Sequence, residues 1–92
     1  MDYIIKRITD LNGTDKTDQM AKNRLNRVIK LSFDDIVINS PLFIECVYPG
    51  YHKSLITSKV KSYTIGNNEL TITTANSIYH MEKCRVKTYC EA

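Results

Sequence analysis

The fold is decided by residues 53–83, KSLITSKVKSYTIGNNELTITTANSIYHMEK, in which β-branched and aromatic residues alternate with polar ones. Alternation with a period of two is typical of half-buried β-strands. Two pairs of turn-forming residues, Asn67-Asn68 and Ala75-Asn76, divide the stretch into three parts. The sequence therefore predicts a three-stranded antiparallel meander over Lys53–Ile65, Glu69–Thr74 and Ser77–Lys83.

The hydrophobic pattern also predicts how these strands are paired. A two-residue turn in the first hairpin places Ile65 opposite Leu70 and Tyr63 opposite Ile72, so that apolar residues meet on one face. A shift by one residue would instead set polar residues against Leu70 and Ile72. Val60 falls on the polar side in the preferred register, which predicts a β-bulge near Ser58-Lys59 or burial of both faces. The predicted apolar face consists of Tyr63, Ile65, Leu70, Ile72, Tyr79 and Met81.

The rest of the chain predicts further short strands and one helix. Residues 14–27 are polar and rich in helix formers, with Thr14 or Thr17 as a possible N-cap and Asp18 in the first turn. They predict a short helix near residues 15–26. Turn residues are expected at Asp34-Asp35 and Pro49-Gly50. The additional strands are expected at Tyr3–Ile8, at Val28–Phe33, at Ile36–Ile38 as a short edge segment, at Leu42–Tyr48 as the central core strand, and at Arg85–Tyr89 as a charged edge strand.

Length and composition limit the class of protein. The chain has 92 residues, of which 42% are hydrophobic and 25% charged, an ordinary globular composition that argues against disorder, collagen-like sequence or a coiled coil. So small a sheet must curl over itself to cover its apolar face. We therefore expect one mainly β (α+β) domain over residues 1–92, a small barrel-like antiparallel sheet of six or seven short strands with one short helix.

The sequence also carries signals of location. No apolar run reaches the roughly 18 to 20 residues that span a bilayer. The first five residues lack the charged start and the long apolar stretch of a signal peptide. Three widely spaced cysteines, Cys46, Cys84 and Cys90, suit reduced thiols better than a disulfide framework. We expect a cytoplasmic protein.

Residues that could carry catalysis are present but are not spaced for it. His52 and His80 share no zinc-ligand spacing with each other or with the cysteines. No cysteine stands beside a histidine and a third, orienting group in the sequence. The three glycines are isolated, so no phosphate-binding loop or dinucleotide fingerprint exists. We expect neither an enzyme nor a bound metal or cofactor.

Basic residues provide the candidate binding site. The net charge of +3 permits an acidic partner without requiring one. One basic group lies on the predicted helix, and a second surrounds the start of the meander with two tyrosines beside it. Basic and aromatic side chains together suit a groove for phosphates and stacked bases; the alternative is a solvated face with arginine stems packed over the core. The candidate partner-binding residues are Lys22, Arg24, Arg27, Tyr48, Tyr51, His52, Lys53, Lys59 and Lys61.

One part of the chain resembles a known pattern. Residues 54–62, SLITSKVKS, followed by residues 70–79, LTITTANSIY, resemble short uncharacterised proteins of Gram-positive bacteriophages and mobile elements, in which a TS-x-V-x-S strand precedes a TT-x-NS-x-Y hairpin. The resemblance covers about the C-terminal third of the chain. It implies a phage-type origin, and then a location in the host cytoplasm.

Small stand-alone viral proteins often act on the host by binding, which gives the expected function by analogy. We expect a non-enzymatic phage or mobile-element accessory protein for counter-defence, which inhibits a host CRISPR nuclease or other immune component or sequesters a nucleotide signal. Two alternatives remain open: a small nucleic-acid-binding barrel that regulates phage transcription or replication, and a virion structural or assembly protein. Exposed strand edges also allow a homo-oligomer.

Overall fold

The computed structural model describes residues 2–48 and 54–84 of the chain. Its six antiparallel strands follow one another in sequence order around a closed barrel, in which the last strand pairs with the first. The predicted mainly β, barrel-like architecture is confirmed. The strands are β1 (Asp2–Thr9), β2 (Val28–Lys30), β3 (Pro41–Tyr48), β4 (Ser54–Ile65), β5 (Glu69–Thr74) and β6 (Ile78–Lys83), and they are joined by helix α1 (Gln19–Arg24) and by one turn of 3₁₀ helix at Phe33–Asp35.

The core fills the inside of the barrel with side chains from every strand. Ala21 of α1 is fully buried, and Leu31 and Ile36 from the connection between β2 and β3 join the same cluster. Removal of this apolar surface from water is the dominant force that holds so small a sheet closed. The strand residues of the core are Tyr3, Ile5, Ile8, Val28, Ile29, Leu42, Ile44, Cys46, Leu55, Val60, Leu70, Ile72, Tyr79 and Met81.

The predicted register of the meander is confirmed at four ladder positions. Ile65 lies opposite Leu70 and Tyr63 opposite Ile72 in the first hairpin. In the second hairpin, Ile72 faces Tyr79 and Leu70 faces Met81. Both tight turns form, because the Gly66 amide donates to the Glu69 carbonyl and the Thr74 amide to the Ser77 carbonyl. The last four of the six predicted apolar-face residues are buried, whereas Tyr63 and Ile65 remain 38% and 51% exposed.

Strand β4 contains two irregularities, and they explain why Val60 faces inward. Against β3, Leu42 is opposite both Thr57 and Ser58, as the shift between the Phe43–Ile56 and Pro41–Lys59 pairs shows. Against β5, the register shifts again at Lys61. Each extra residue turns the following side chains to the other face. The prediction of a bulge near Ser58-Lys59 is therefore confirmed to within one residue, with a second bulge that was not predicted.

The helix is shorter than predicted, and a different residue caps it. Residues 14–16 run beside β1, where the Lys16 amide donates to the Ile8 carbonyl and the Asp10 amide to the Thr14 carbonyl, so they are not free to be helical. Asp18 is the N-cap, and its carboxylate accepts from the Ala21 amide at 2.9 Å. The predictions of Thr14 or Thr17 as N-cap and of Asp18 in the first turn are wrong. The helix ends before Asn26, whose positive φ of 67° suits the tolerance of asparagine for left-handed backbone.

Two predicted strands differ from the structure. The strand predicted over Val28–Phe33 stops at Lys30, because Ser32 and Asp35 form a reciprocal capping box that starts the 3₁₀ turn, where a plain turn at Asp34-Asp35 was predicted. The edge segment predicted at Ile36–Ile38 is wrong, since this part of the chain turns toward β3 through Asn39 at a φ of 68°. The predicted turn Pro49-Gly50 and the predicted strand Arg85–Tyr89 lie outside the described residues.

The strand predicted over Leu42–Tyr48 is confirmed as β3, but Phe43 does not belong to the core. Leu42, Ile44 and Cys46 point inward and are buried. Phe43 points outward and is 66% exposed. The apolar run therefore contains the alternation of a strand with one solvated face.

Candidate binding surface

Two arginines of the predicted basic group on the helix are held against β4. The Arg24 guanidinium donates from Nη1 to the Tyr79 hydroxyl at 2.5 Å and from Nη2 to the Ile56 carbonyl at 2.9 Å. Arg27 reaches the Ser54 carbonyl over a longer Nη1–O distance of 3.5 Å. Strand β5 pairs with β4 only from Val60 onward, so the arginines cap the carbonyls of the earlier part of that edge. Both side chains thus have contacts within the fold, and their role in binding stays a prediction.

The lysines of the predicted site are more accessible. Lys22 on α1 and Lys59 and Lys61 on β4 are exposed. Lys59 lies opposite Pro41 at the outer end of the β3–β4 ladder, and Lys61 occupies the second bulge. The two arginines contact the same strand nearer its start, at the carbonyls of Ile56 and Ser54.

Most of the remaining predicted site residues lie outside the part of the chain that the structure describes. Tyr51, His52 and Lys53 lie outside the described residues. Tyr48 ends β3 opposite Val28, and its side chain also lies outside the described part of the chain. The candidate surface is therefore built from Lys22, Arg24, Arg27, Lys59 and Lys61.

Strands β3 and β4 also carry an exposed apolar pair, which was not predicted from the sequence. Phe43 and Ile56 face each other across β3 and β4 on the outside of the barrel, where they are 66% and 50% exposed. Apolar surface surrounded by polar residues is a feature of interaction sites. A signal was available, because the period of two turns Phe43 outward once its neighbours in sequence point inward. We call the outward residues Pro41, Phe43, Ile56 and Lys59 the β3–β4 face.

A second surface feature carries charges of both signs. A shallow depression of about 220 Å³ lies on the outside of β1, β5 and β6. Lys6 and Arg7 line it together with Glu69 and Glu82, and Arg7 also forms an ion pair with Asp15. His80 also lines the depression and lies opposite Arg7. Because two basic and two acidic side chains line the same depression, their charges balance, and the depression is not built to attract an anion.

The potential metal ligands of the described residues are dispersed. Within residues 2–48 and 54–84, no three side chains of histidine, cysteine, aspartate or glutamate are grouped in a way that would hold a metal ion. Cys46 is buried in the core, and Cys84 is partly buried beyond β6. His52 and Cys90 lie outside the described residues, so the expectation of no metal site stays a prediction.

The Cys84 thiol gives a test of local electrostatics. Burial raises its pKa above the ordinary value, the nearby Asp2 carboxylate raises the pKa further, and Lys6 opposes them. Because only the thiolate reacts, we expect iodoacetamide to alkylate Cys84 several-fold more slowly in the folded chain than in urea at the same pH. A Cys46→Ala/Cys90→Ala background isolates the rate. Lys6→Gln should slow the folded-state reaction and Asp2→Asn should accelerate it; equal rates in the two variants would contradict the assignment.

Comparison with known proteins leaves the geometry as the basis for any function. No protein-family model, curated protein or solved structure matches the chain. In the described residues, no helix is long and apolar enough to cross a membrane. Among the described residues, the feature that best supports a functional argument is the β3–β4 face, where the exposed Phe43–Ile56 pair lies beside Lys59.

Proposed function

We propose that the chain is a non-enzymatic protein that acts by stoichiometric binding, and that its β3–β4 face contacts an acidic partner protein. The observation that carries this proposal is the outward Phe43–Ile56 pair. Covering apolar surface contributes roughly 25 cal/mol per Å², and a phenylalanine that is two-thirds exposed offers much of it. Protein interfaces commonly have aromatic residues at the centre and polar residues at the rim.

The exposed lysines supply such a rim. Lys59 lies beside the apolar pair on β4, and Lys22 is exposed on the helix whose Arg24 reaches the Ile56 carbonyl. The net charge of +3 attracts an acidic partner, so such a partner should associate faster than a neutral or basic one. Rim charges affect the association rate and the choice of partner more than they affect affinity. The apolar centre is therefore the part of the site to remove first.

The proposed biological setting is counter-defence in a phage or mobile element. It rests on the resemblance of residues 54–62 and 70–79 to short proteins of Gram-positive phages, and on the analogy that small viral proteins often inactivate host components by occupying them. In this setting the acidic partner is a host immune component, such as a CRISPR nuclease.

The test of the proposal removes the apolar centre of the face. In affinity capture from a Gram-positive lysate, quantified by mass spectrometry, the double variant Phe43→Ser/Ile56→Ser should retain about tenfold less of the partner protein than the wild type does. The matched control is Val37→Ser/Ile38→Ser, which removes two apolar residues that are 55% and 46% exposed on the loop before β3. The control should capture the same acidic protein in the same near-equimolar amount as the wild type.

Two results would contradict the proposal. One is an identical capture profile for the wild type and the Phe43→Ser/Ile56→Ser variant, with the far-ultraviolet circular dichroism of both chains unchanged. The other is loss of the captured protein in the Val37→Ser/Ile38→Ser control, which would move the contact to the loop.

Single-stranded nucleic acid is a second candidate ligand, favoured by the exposed Phe43 ring near Lys59. An aromatic ring beside a basic side chain can stack on a base while the charge contacts phosphate, and such binding weakens steeply with salt. Fluorescence anisotropy with labelled single-stranded and duplex oligonucleotides at about 50 and 200 mM salt separates this candidate from the first. Binding at the lower salt that Phe43→Ser abolishes would favour nucleic acid over a protein partner.

A further inference from the structure

Among residues 2–48 and 54–84, no strand pairs with one edge of β4 along its last residues. The ladder from β3 ends at Val60, where the Asn39 amide donates to the Val60 carbonyl and the Val60 amide donates to the Ser40 carbonyl. It ends there because the chain turns away at Asn39, whose φ is 68°. Among residues 2–48 and 54–84, only β5 is paired with β4 beyond this point.

The hairpin shows which backbone groups point to this edge. The hydrogen bond from the Gly66 amide to the Glu69 carbonyl marks Gly66–Glu69 as a hydrogen-bonded pair. In an antiparallel ladder such pairs alternate with non-hydrogen-bonded ones, so Tyr63 and Ile65 direct their N–H and C=O groups away from β5. No backbone partner for these four groups lies in the described part of the chain.

The side chains at this edge are unlike those that natural proteins use to block a sheet edge. Charges, prolines and bulges are the usual protection. Ser62, Tyr63, Thr64 and Ile65 carry no charge, and the bulge at Lys61 closes off only one end. Phe33 stacks on Tyr63 with ring centres 6.5 Å apart, which extends the apolar surface on one side of the strand.

The opposite edge of the same strand provides the contrast. Where β5 does not reach β4, the guanidinium groups of Arg24 and Arg27 occupy the carbonyls of Ile56 and Ser54. Two charged side chains thus cap one segment of β4, whereas in the described part of the chain no charged side chain caps the Tyr63–Ile65 segment.

We propose that the Tyr63–Ile65 edge pairs with the same edge of a second copy of this chain, antiparallel and about a two-fold axis at Thr64. Tyr63 then lies opposite Ile65 of the partner subunit, and each such pair exchanges its two free hydrogen bonds. This register sets apolar residues against apolar residues and a threonine against a threonine, both favourable cross-strand pairs. It leaves Lys61 beyond the paired segment, whereas a two-fold axis at Tyr63 would place Lys61 opposite an isoleucine.

A second copy fits this edge better than a charged partner does. The segment offers no charge by which to select an acidic or basic strand, and its sequence is complementary to itself. The apolar surface on each side is small, essentially the exposed parts of Phe33, Tyr63 and Ile65. The interface therefore falls at the low end of the size range, below about 1,200 Å², and we expect a dissociation constant on the order of 10 µM.

The experiment is sedimentation velocity on the full chain from about 1 µM to about 500 µM, a range that brackets this dissociation constant. The wild type should shift from the mass of one chain to the mass of two. Ile65→Lys, which puts a charge on the edge, should remain monomeric throughout. Ile56→Lys is the matched control, because Ile56 is 50% exposed and Ile65 51%, and it should dimerise as the wild type does.

A cysteine scan tests the register. In a Cys46→Ala/Cys84→Ser/Cys90→Ser background, Thr64→Cys should form an interchain disulfide under air, because the two residues face each other across a non-hydrogen-bonded pair. Ser62→Cys should not. A wild type that stays monomeric at the highest concentration overturns the proposal, as does a dimer lost with Ile56→Lys but kept with Ile65→Lys. Cross-linking through Ser62→Cys and not Thr64→Cys overturns the register.

Discussion

We expect Ile72→Ala to lower the free energy of unfolding by about 3 kcal/mol, because it leaves a cavity at the centre of the barrel. Ile72 is completely buried and is paired with Tyr63 on one side and Tyr79 on the other. The loss combines the transfer free energy of the removed methyl groups with the cost of a void that the surrounding strands fill only in part. Urea denaturation followed by circular dichroism measures it, provided that the slope with denaturant is unchanged.

Ile65→Ala is the matched control for this prediction. Ile65 has the same residue type, lies in the same hairpin and points to the same face of the sheet, but it is 51% exposed. We expect its replacement to cost under about 1 kcal/mol at concentrations where the chain is monomeric. Equal losses for Ile72→Ala and Ile65→Ala would contradict this prediction. They would mean that Ile65 is as well covered as Ile72, although β3 does not pair with β4 beyond Val60.

The contrast between these two isoleucines shows how far the sequence predicts the fold. Period-two alternation and two asparagine-containing turns are local signals, and they are enough to predict the strands and the register of β4, β5 and β6. Whether a residue on the correct face is buried depends on which other strand covers it. Tyr63 and Ile65 are exposed because β3 stops pairing at Val60, and a turn at Asn39 some twenty residues earlier in the chain is responsible.

The helix shows the same limit from the other direction. The predicted helix began near residue 15, but hydrogen bonds to β1 hold residues 14–16 beside that strand, and tertiary pairing of this kind overrides a weak local preference. The helix then begins at Gln19, and Asp18, immediately before it, is the cap. The cap was misplaced because sequence analysis did not predict the contact with β1.

The candidate site was predicted in part. The basic residues are visible in the sequence, but sequence alone does not show that Arg24 is hydrogen-bonded within the fold while Lys59 is exposed on the surface. Phe43 was missed for a different reason: Leu42–Tyr48 is so apolar that its alternation is hidden, and a strand in which both classes of position are hydrophobic resembles a buried one.

Arg24 is the predicted site residue whose removal should affect stability most. Its guanidinium donates a hydrogen bond to the hydroxyl of Tyr79, a residue only 2% exposed, and a second one to the Ile56 carbonyl. We expect Arg24→Met, which keeps much of the aliphatic stem, to lower the free energy of unfolding by about 2 to 3 kcal/mol. A buried hydroxyl without a partner costs more than the net gain of the bond that it made. Denaturant unfolding at neutral pH measures the loss.

A double-mutant cycle separates this bond from the loss of packing. Tyr79→Phe removes the hydroxyl, so adding it to Arg24→Met should recover about 1 kcal/mol or more of the loss, which gives a coupling of the same order between the two residues. Arg27→Met is the control of equal size and charge, and it should cost under about 1 kcal/mol because its contact with the Ser54 carbonyl is long and made by one nitrogen. If neither Arg24→Met nor Arg27→Met lowers the free energy of unfolding, then Arg24 does not stabilise the barrel, and both arginines are candidates for contact with a partner. If Arg24→Met alone is destabilising and Tyr79→Phe restores part of the loss, the partner must be sought among the lysines and the exposed Phe43.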